Sequence, residues 1–506
     1  MRRAKLGPSL LILLAALPAL GQDLDDRQLS ILPTDADTRA ALVASLLPLT
    51  DPDRLAEAET LPGGTATVPF TTKDDVFSQP SAGLTEDRLH SFNRGNGLFR
   101  KLWIAAPSEI PASDGLGPVY NARSCQACHL KDGRGHAPEG PTDDRISMVL
   151  RLSRPGGDAP EGIADWIATQ PDPIYGGQLQ DFAAPGLMAE GKLEITYTET
   201  PVTLADGTIV SLRAPSYALA DPAYGPPADD LPLSPRVAPQ MIGLGLLEAI
   251  PAADILALAD PDDGNHDGIS GRPQIVPSVA YGVPMLGRFG LKAGAPTIRD
   301  QTAAALSMDM GLSNPLFPDP WGDCTDRQTA CRTAPHGQDP GIRDGLEVDA
   351  ERLDMLTFYA RNLGVPARRG ADDATVLQGK AIFTTTGCAG CHQPSFVTVS
   401  LTDQPEQSAQ AIWPYTDLLL HDMGPGLADN RPEGRATGSE WKTPPLWGIG
   451  LSPQVSGHSE YLHDGRARSL LEAVLWHGGE AQSARDAVAA MTTEDREALL
   501  AFLGSL

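Results

Sequence analysis

Two amphipathic helical patterns of similar length and phase lie far apart in the chain, at residues 348–363 and 492–506. Apolar side chains spaced three and four positions apart share one face of a helix, so each pattern predicts a helix packed on a core. The apolar face of the first pattern carries Leu353, Leu356, Tyr359 and Leu363. The recurrence of one helix type at this distance predicts two similar structural units in tandem.

Other segments predict shorter elements. Further helices are predicted at residues 38–47, 89–103 and 470–476, the second of them interrupted at the glycine-containing run 93–97. Alternating or β-branched residues predict short strands at residues 146–152, 193–198 and 208–213. The predicted fold class is therefore mainly α, with the strands confined to a large loop-rich insertion at about residues 140–345.

Composition and charge narrow the class of protein. The 506 residues include 51 glycines and 46 prolines, whereas aromatic residues make up only 5%, which favours a loop-rich chain. The net charge of −26 excludes nucleic acid and anionic membranes as partners, because both are negatively charged themselves. It favours solubility and agrees with a basic partner such as a cationic cytochrome.

The first 21 residues have the pattern of a signal peptide. Arg2, Arg3 and Lys5 precede an apolar run, Leu10–Leu20, that is too short to span a bilayer, and Gly21 supplies a small residue at the predicted cut. No later stretch is apolar enough to predict a membrane span. The chain is therefore predicted to be exported, which in a bacterium means the periplasm.

Each predicted unit contains one Cys-x-x-Cys-His sequence, the attachment pattern of c-type haem. The spacing lets two thiols bond the vinyl groups of one porphyrin and places the histidine beside the iron. A redox dithiol would be expected in a βαβ context, and zinc needs four ligands close together, so two covalently bound haem c groups are predicted. The attachment residues are Cys125, Cys128 and His129 in the first copy and Cys388, Cys391 and His392 in the second.

The motifs and the helical repeat predict a domain organisation. After the signal peptide at residues 1–21 come an N-terminal extension (22–84), a first cytochrome c-like domain with the insertion (85–366) and a second cytochrome c-like domain (374–506). Export agrees with the haem prediction, because c-type haem is attached outside the cytoplasm.

Several segments resemble a family of di-haem oxidoreductases of peroxidase type, also called thiol-oxidoreductase-like. This family is related to bacterial dihaem cytochrome c peroxidases and MauG proteins. The matching segments are 121–129, 260–271, 309–311, 415–424, 441–446, 461–466 and 469–474. The resemblance covers nearly all of the mature chain and implies a dihaem fold. The family's substrate is less well defined than its cofactors.

The resemblance implies ligands for the second haem. In the related peroxidases the distal ligand lies fourteen residues beyond the histidine of a His-Asp-Gly sequence, and here that position is His477, fourteen beyond His463. His392 and His477 are thus predicted to ligate one iron, and the alternative for His477 is a surface histidine at a helix end. His421 and His463 are interpreted as hydrogen-bonding residues near the haem edge.

The resemblance also suggests residues for the first haem. The related peroxidases line their pocket with a glutamine and a glutamate ten residues apart, and Gln180 and Glu190 have this spacing. Glu190 is the predicted catalytic acid/base, with a solvated loop carboxylate as the alternative. His136 is the rival distal ligand, interpreted here as a nearby polar residue. Trp103 and Trp476 are candidates for a charge relay between the haems.

The function implied is a periplasmic dihaem oxidoreductase of peroxidase type. A small oxidant such as peroxide would react at the N-terminal haem, and electrons would come from a periplasmic electron-transfer protein through the C-terminal haem. Two alternatives remain from other classes. One is an electron-transfer cytochrome without substrate turnover, and the other is a non-catalytic iron-handling or sensor module.

Two further patterns concern metal and redox chemistry. Asp263, Asn265, Asp267 and Gly268 match the first half of a calcium loop, but Gln274 stands where such a loop has its glutamate. The segment can therefore be interpreted either as a calcium site or as a plain acidic surface turn. The two remaining cysteines, Cys324 and Cys331, predict a local disulfide in an oxidising compartment, with a reactive dithiol as the alternative.

Overall fold

The computed structural model describes residue 24 and residues 26–33, 36–46, 55, 57–110, 112–138, 143 and 147–506. The predicted signal peptide at residues 1–21 lies outside the described residues. Within this described part, no helix has both the length and the apolar character needed to cross a membrane.

The α-helices of the described residues are α1 (Ala36–Ser45), α2 (Glu86–Phe99), α3 (Cys125–Cys128), α4 (Leu244–Glu248), α5 (Ala252–Leu256), α6 (Ile298–Met310), α7 (Thr329–Arg332), α8 (Ala350–Arg361), α9 (Ala374–Thr385), α10 (Ser452–Ser456), α11 (Leu470–Trp476), α12 (Gln482–Ala490) and α13 (Thr493–Ser505).

The strands are β1 (Ile104–Ala105), β2 (Asp114–Leu116), β3 (Val119–Tyr120), β4 (Met148–Leu152), β5 (Arg154–Pro155), β6 (Thr169–Gln170), β7 (Gln178–Leu179), β8 (Phe182–Ala183), β9 (Lys192–Thr203), β10 (Ile209–Ala220), β11 (Leu233–Val237), β12 (Ile275–Pro277), β13 (Pro284–Leu286), β14 (Phe396–Val397), β15 (Ala411–Ile412), β16 (Leu420–Asp422) and β17 (Glu440–Lys442).

The predicted mainly-α fold class is wrong. Helices make up 30% and strands 17% of the structure. Most strands are only two or three residues long, and many lie outside the predicted insertion. The many prolines and glycines explain the irregular remainder, because proline lacks a backbone donor and glycine weakens helices and strands alike.

Two helix pairs are packed in the same way. A Cβ on Gly95 of α2 would lie 2.5 Å from the Met355 carbonyl oxygen of α8, and a Cβ on Gly379 of α9 would overlap the Ala498 carbonyl of α13. Met355 and Ala498 hold the same position relative to the N-caps of their helices, Asp349 and Thr492. Glycine therefore permits both close helix crossings, and α2 runs unbroken through residues 93–97, contrary to the prediction.

The aromatic rings at the two crossings also correspond. In the first pair Phe99 lies 5.1 Å from the Tyr359 ring and 6.4 Å from the ring of the motif histidine. In the second pair Phe383 lies 5.2 Å from the Phe502 ring and 6.2 Å from the ring of the motif histidine. The phenylalanines thus link each helix crossing to its Cys-x-x-Cys-His segment.

A long hairpin, β9–β10, extends from the insertion onto the C-terminal part of the chain. Its strands pair in register over 12 residues each, well beyond the lengths predicted, because the cross-strand pairing continues to both ends. Leu212 packs with Leu475 of α11, and Arg468 bridges to Glu199 at 2.9 Å. The hairpin therefore covers part of α11.

A three-stranded antiparallel sheet, in the order β11–β4–β7, has two chemically different faces. Leu150, Leu152 and Leu179 belong to a buried apolar cluster. Arg151 lies directly opposite Gln178 on one neighbouring strand and Ser234 on the other. Because alternate residues of a strand point to opposite faces, these three polar residues share the second face.

Candidate functional site

The first Cys-x-x-Cys-His segment forms the short helix α3 and its C-terminal end. The Ser124 hydroxyl caps the helix by accepting a hydrogen bond from the Ala127 amide at 3.2 Å. Nδ1 of His129 lies 2.8 Å from the carbonyl oxygen of Pro239. Since a carbonyl only accepts, Nδ1 carries the proton and donates it, and the lone pair of Nε2 remains for another partner.

The second segment repeats this arrangement. Cys388 starts a turn of 3₁₀-helix, and Nδ1 of His392 donates to the Tyr415 carbonyl oxygen at 2.9 Å. Burial lowers the pKa of both motif histidines, His129 and His392, to about 4. Both imidazoles are therefore neutral at physiological pH, which is the state in which histidine binds metals.

The residues present fit haem. The four motif cysteines are not joined in disulfides, and each pair is followed by a neutral imidazole whose Nε2 offers its lone pair. A histidine that binds a metal through one nitrogen donates its other N–H to a carbonyl or carboxylate, as both motif histidines do.

His477 lies at the C-terminal end of α11, which has the predicted bounds. Its Nδ1 donates to the Ala473 carbonyl oxygen at 2.7 Å, so its Nε2 also keeps a lone pair. Burial is the main cause of the lowered pKa of His392, and the charge of a nearby His477 lowers it further. The structure therefore brings His477 and His392 together, and their joint ligation of one iron stays a prediction.

The other histidines of the sequence hypothesis have different surroundings. Nε2 of His421 bonds to Asp417 at 2.8 Å and Nδ1 to Glu480 at 2.7 Å. Burial opposes its charged form, but the hydrogen bonds to Asp417, Cys391 and Glu480 outweigh it and raise the pKa of His421 to about 12. The ring is thus a charged hydrogen-bond donor with neither nitrogen open.

His463 and His136 also pack against other rings. His463 is stacked on Trp441, with ring centroids 3.9 Å apart. Nδ1 of His136 lies 2.8 Å from the Ala137 carbonyl oxygen, and its ring contacts the His458 ring edge-on at 5.2 Å.

Gln180 and Glu190 are brought together by the fold. The Glu190 carboxylate is fully buried and accepts hydrogen bonds from the Gln180 amide at 2.6 Å and from Gln328 Nε2 at 2.5 Å. Burial is the main cause that raises the pKa of Glu190 to about 8, helped by the charges of Asp323 and Asp172. A carboxyl that is protonated at neutral pH suits a proton donor, and its catalytic role stays a prediction.

The sequence hypothesis missed a polar cluster beside the first thiols. Gln178 Nε2 donates to Asn121 Oδ1 at 2.5 Å and to Asp309 Oδ1 at 2.9 Å. Burial first, and then the charge of Asp309, raise the pKa of both Cys125 and Cys128, which places that carboxyl close to the thiols. The Asp309-Met-Gly segment was noticed only as a family signature. The alternation of apolar and polar residues along β4 is the sequence signal that predicts a polar side chain, Arg151, on one face of this strand.

The tryptophans named as relay candidates are both near cations. The Lys101 ammonium lies 3.5 Å from the centre of the Trp103 ring, and the Arg466 guanidinium lies 4.7 Å from that of Trp476. Charge relay through either ring stays a prediction.

The acidic loop and the remaining cysteines have structural roles. Asp260, Asp263 and Asp267 accept hydrogen bonds from backbone amides of their own loop. Among the described residues, no group of three or more acidic, histidine or cysteine side chains is arranged to hold a metal ion, and calcium stays a prediction. Cys324 and Cys331 are joined in a disulfide, as the sequence suggested.

Comparisons with known proteins give the family. No curated protein matches the chain. A solved structure of hydrazine synthase from Kuenenia stuttgartiensis, pressurised with xenon, is similar over 87% of this chain and 94% of that chain, at 13% identity and a TM-score of 0.33. A likeness of this size supports no conclusion about function. The family model "Di-haem oxidoreductase, putative peroxidase" matches residues 56–506, and the chain therefore belongs to this family of di-haem oxidoreductases.

Proposed function

We propose that the protein is a periplasmic oxidoreductase of peroxidase type that carries two covalently attached haem c groups. A small oxidant such as peroxide reacts at the N-terminal haem, and a periplasmic electron-transfer protein delivers electrons through the C-terminal haem. Membership of the di-haem family supports the cofactors, and the exported pattern of residues 1–21 supports the compartment. Covalent attachment is supported by four cysteines that have the required spacing and are not joined in disulfides.

The observation that carries the proposal is an asymmetry between the two motif histidines. His392 has a second imidazole, His477, close enough to affect its pKa. For His129, burial lowers the pKa and backbone hydrogen bonds to Pro239 and Gly133 oppose this, and no second imidazole contributes among the described residues. Two imidazoles close an iron to exogenous ligands, whereas one leaves a position open.

Haem held by these residues supplies an iron that exchanges electrons with a small oxidant. The chain supplies the surroundings. The carbonyl groups of Pro239 and Tyr415 keep the protons of His129 and His392 on Nδ1, and this fixes both rings in the orientation for metal binding. His477, whose Nδ1 donates in the same way to Ala473, would ligate the iron of the C-terminal haem together with His392.

Reduction of peroxide also needs protons at the first site. Glu190, with its pKa raised to about 8, carries a proton at neutral pH. Gln180 holds that carboxyl through its backbone amide. We assign Glu190 as the acid/base and Gln180 as the residue that positions it.

Optical and electron paramagnetic resonance spectra of the holoprotein, before and after peroxide, test the proposal. We expect one high-spin and one low-spin haem, peroxide-induced changes, and an intact mass with two haem increments. Two low-spin spectra with no response would identify an electron-transfer cytochrome instead. Failure to turn over peroxide with any donor, together with tight binding of a periplasmic protein, would identify an iron-handling or sensor module.

A further inference from the structure

Arg151 has an unusual guanidinium environment. Its described hydrogen bond runs from Nη1 to the sulfur of Met308 at 3.0 Å, and among the described residues it forms no ion pair. A thioether is a weak, uncharged acceptor. Buried arginines elsewhere in the structure have carboxylate partners, for example Arg236 with Glu433 at 2.8 Å and Arg466 with Asp464 at 2.7 Å. Arg151 therefore keeps its hydrogen-bonding capacity for an anion.

Gln178, the neighbour of Arg151 across the sheet, has a hydrogen-bond acceptor without a donor. Gln178 is fully buried, and its side-chain nitrogen lies within hydrogen-bonding distance of three acceptors, Asn121 Oδ1, Asp309 Oδ1 and the Met308 carbonyl oxygen. These acceptors fix the orientation of the amide, so the other end must be the oxygen. That oxygen, Oε1, is buried and has no hydrogen-bond partner among the described residues. A buried acceptor of this kind is costly unless something donates to it.

The pair lies close to the first attachment site. Arg151 interacts with the charge of Asp309, and Asp309 in turn affects both Cys125 and Cys128. Burial raises the pKa of Asp309, which favours its neutral form. Burial opposes the charge of Glu433, but Arg236, Arg431 and Arg151 together hold its pKa well below its usual range. Its ion pairs run to Arg236 and Arg431, so neither carboxyl is an ion-pair partner of Arg151. The Arg151 guanidinium, the Gln178 oxygen without a partner and the Asp309 carboxyl thus lie together near the first pair of thiols.

We propose that Arg151 and Gln178 bind a small anion, or its protonated form, at the N-terminal haem, with Arg151 holding the negative charge and Gln178 accepting from the ligand's proton. The ligand class includes hydroperoxide and other small oxyanions. This inference rests on the proposed function, because it names the ligand chemistry of the same site. A propionate of the haem has the same anionic chemistry and is the other source of an anion for Arg151.

Ligand titrations of the holoprotein separate these cases. Azide, an anion, is titrated against the oxidised protein, and carbon monoxide, a neutral molecule, against the reduced protein, both followed by optical spectra. We expect Arg151→Gln to weaken azide binding by about tenfold or more, since a charge-assisted hydrogen bond is lost, and to leave carbon monoxide binding unchanged. Arg151→Lys should weaken azide less. Arg154→Gln, which removes the same charge three residues along the chain, is the matched control.

The remaining outcomes each decide against the inference. An unchanged azide affinity in Arg151→Gln, with carbon monoxide still bound, rejects it and leaves the proposed function standing. Weaker binding of both ligands, or a shifted reduction potential with unchanged azide affinity, assigns Arg151 to a propionate and also rejects it. If neither ligand binds to the wild-type N-terminal haem, the proposed function itself fails. Intact mass and circular dichroism of each variant confirm haem content and folding.

Discussion

The two helix pairs of this protein share one packing plan but receive different chemistry from the rest of the chain. Their glycine crossings, ring distances and histidine hydrogen bonds correspond closely. At the second pair, α11 brings His477 close to the motif histidine. At the first pair, a polar sheet face with Arg151 lies near the thiols instead. Under the proposed function, this common frame serves one closed and one open metal site.

The pKa values of buried carboxyls also differ between the two regions. Near the first site, burial raises the pKa of Asp181 and of Asp323 to about 6. In the C-terminal part, burial also opposes ionisation of Asp464, but the charges of His463 and Arg466 outweigh it and hold that pKa well below its usual range. Burial therefore raises the pKa of these two carboxyls near the first site, whereas neighbouring cations keep Asp464 ionised.

The largest expected effect comes from removing His477, the proposed second ligand of the C-terminal iron. His477→Ala should convert the C-terminal haem completely from low spin to high spin, because one of its two imidazoles is lost. Electron paramagnetic resonance of the holoprotein measures this change. His266→Ala, in an exposed loop, is the control, and a low-spin spectrum that survives in His477→Ala would remove this residue from the ligand set.

The second prediction concerns proton supply at the open site. Glu190→Gln should slow the reaction with peroxide by about a hundredfold, the usual effect of losing an acid/base. Stopped-flow absorbance gives the rate. Glu194→Gln, exposed on the neighbouring β9, should leave it unchanged. A rate near that of wild type in Glu190→Gln would transfer the role to another group.

The shared packing plan can be broken at either crossing. Gly95→Ala and Gly379→Ala should each lower the free energy of unfolding by about 1–3 kcal/mol, because the added methyl group meets a backbone carbonyl of the partner helix. Gly97→Ala and Gly504→Ala are controls in the same pairs, since a Cβ there meets nothing within 4 Å. Denaturant titrations measure the differences, and equal effects at crossing and control positions would contradict the plan.

The smallest expected effect tests the contrast in charge. The folded pKa of Asp323 lies near 6, above its ordinary value of 3.8, so between these values the folded protein holds a proton that the unfolded chain has released. Its contribution to stability therefore falls as the pH rises through this window, by at most about 1.4 kcal/mol per pH unit. Asp323→Asn should flatten this part of the profile.

Denaturant unfolding at several pH values gives the profile. Asp326→Asn is the control, because the Asp326 side chain is 96% exposed. If the free energy of unfolding of Asp323→Asn depends on pH as steeply as that of the wild type, Asp323 is not the group that binds the proton.

The sequence predicted features that are encoded locally. The attachment segments depend on five consecutive residues, and the bounds of α11 follow from a serine cap and a short apolar run. The predicted break in helix α2 is wrong because glycine weakens an isolated helix, whereas in the fold Gly95 makes room for the Met355 carbonyl. Glycine can thus interrupt a helix or permit a close helix crossing, and only the tertiary packing shows which of the two applies.

Features assembled from distant segments were not predictable. Arg151, Gln178 and Asp309 come from β4, β7 and α6, and only the sheet register and the helix packing bring them together. The length of β9 and β10 depends on cross-strand pairing, which no short window contains. The mainly-α prediction failed for a related reason, because isolated short strands leave little periodicity in the sequence.

The hairpin β9–β10 has a consequence for how the molecule is made. Its residues precede α11 by some 250 positions, so a ribosome produces this arm long before the helix that it covers. Until α11 has been synthesised, Leu212 cannot pack against Leu475, and the apolar side of the hairpin stays exposed. Folding of the N-terminal half therefore depends on the C-terminal half, because α11 covers the apolar side of the β9–β10 hairpin.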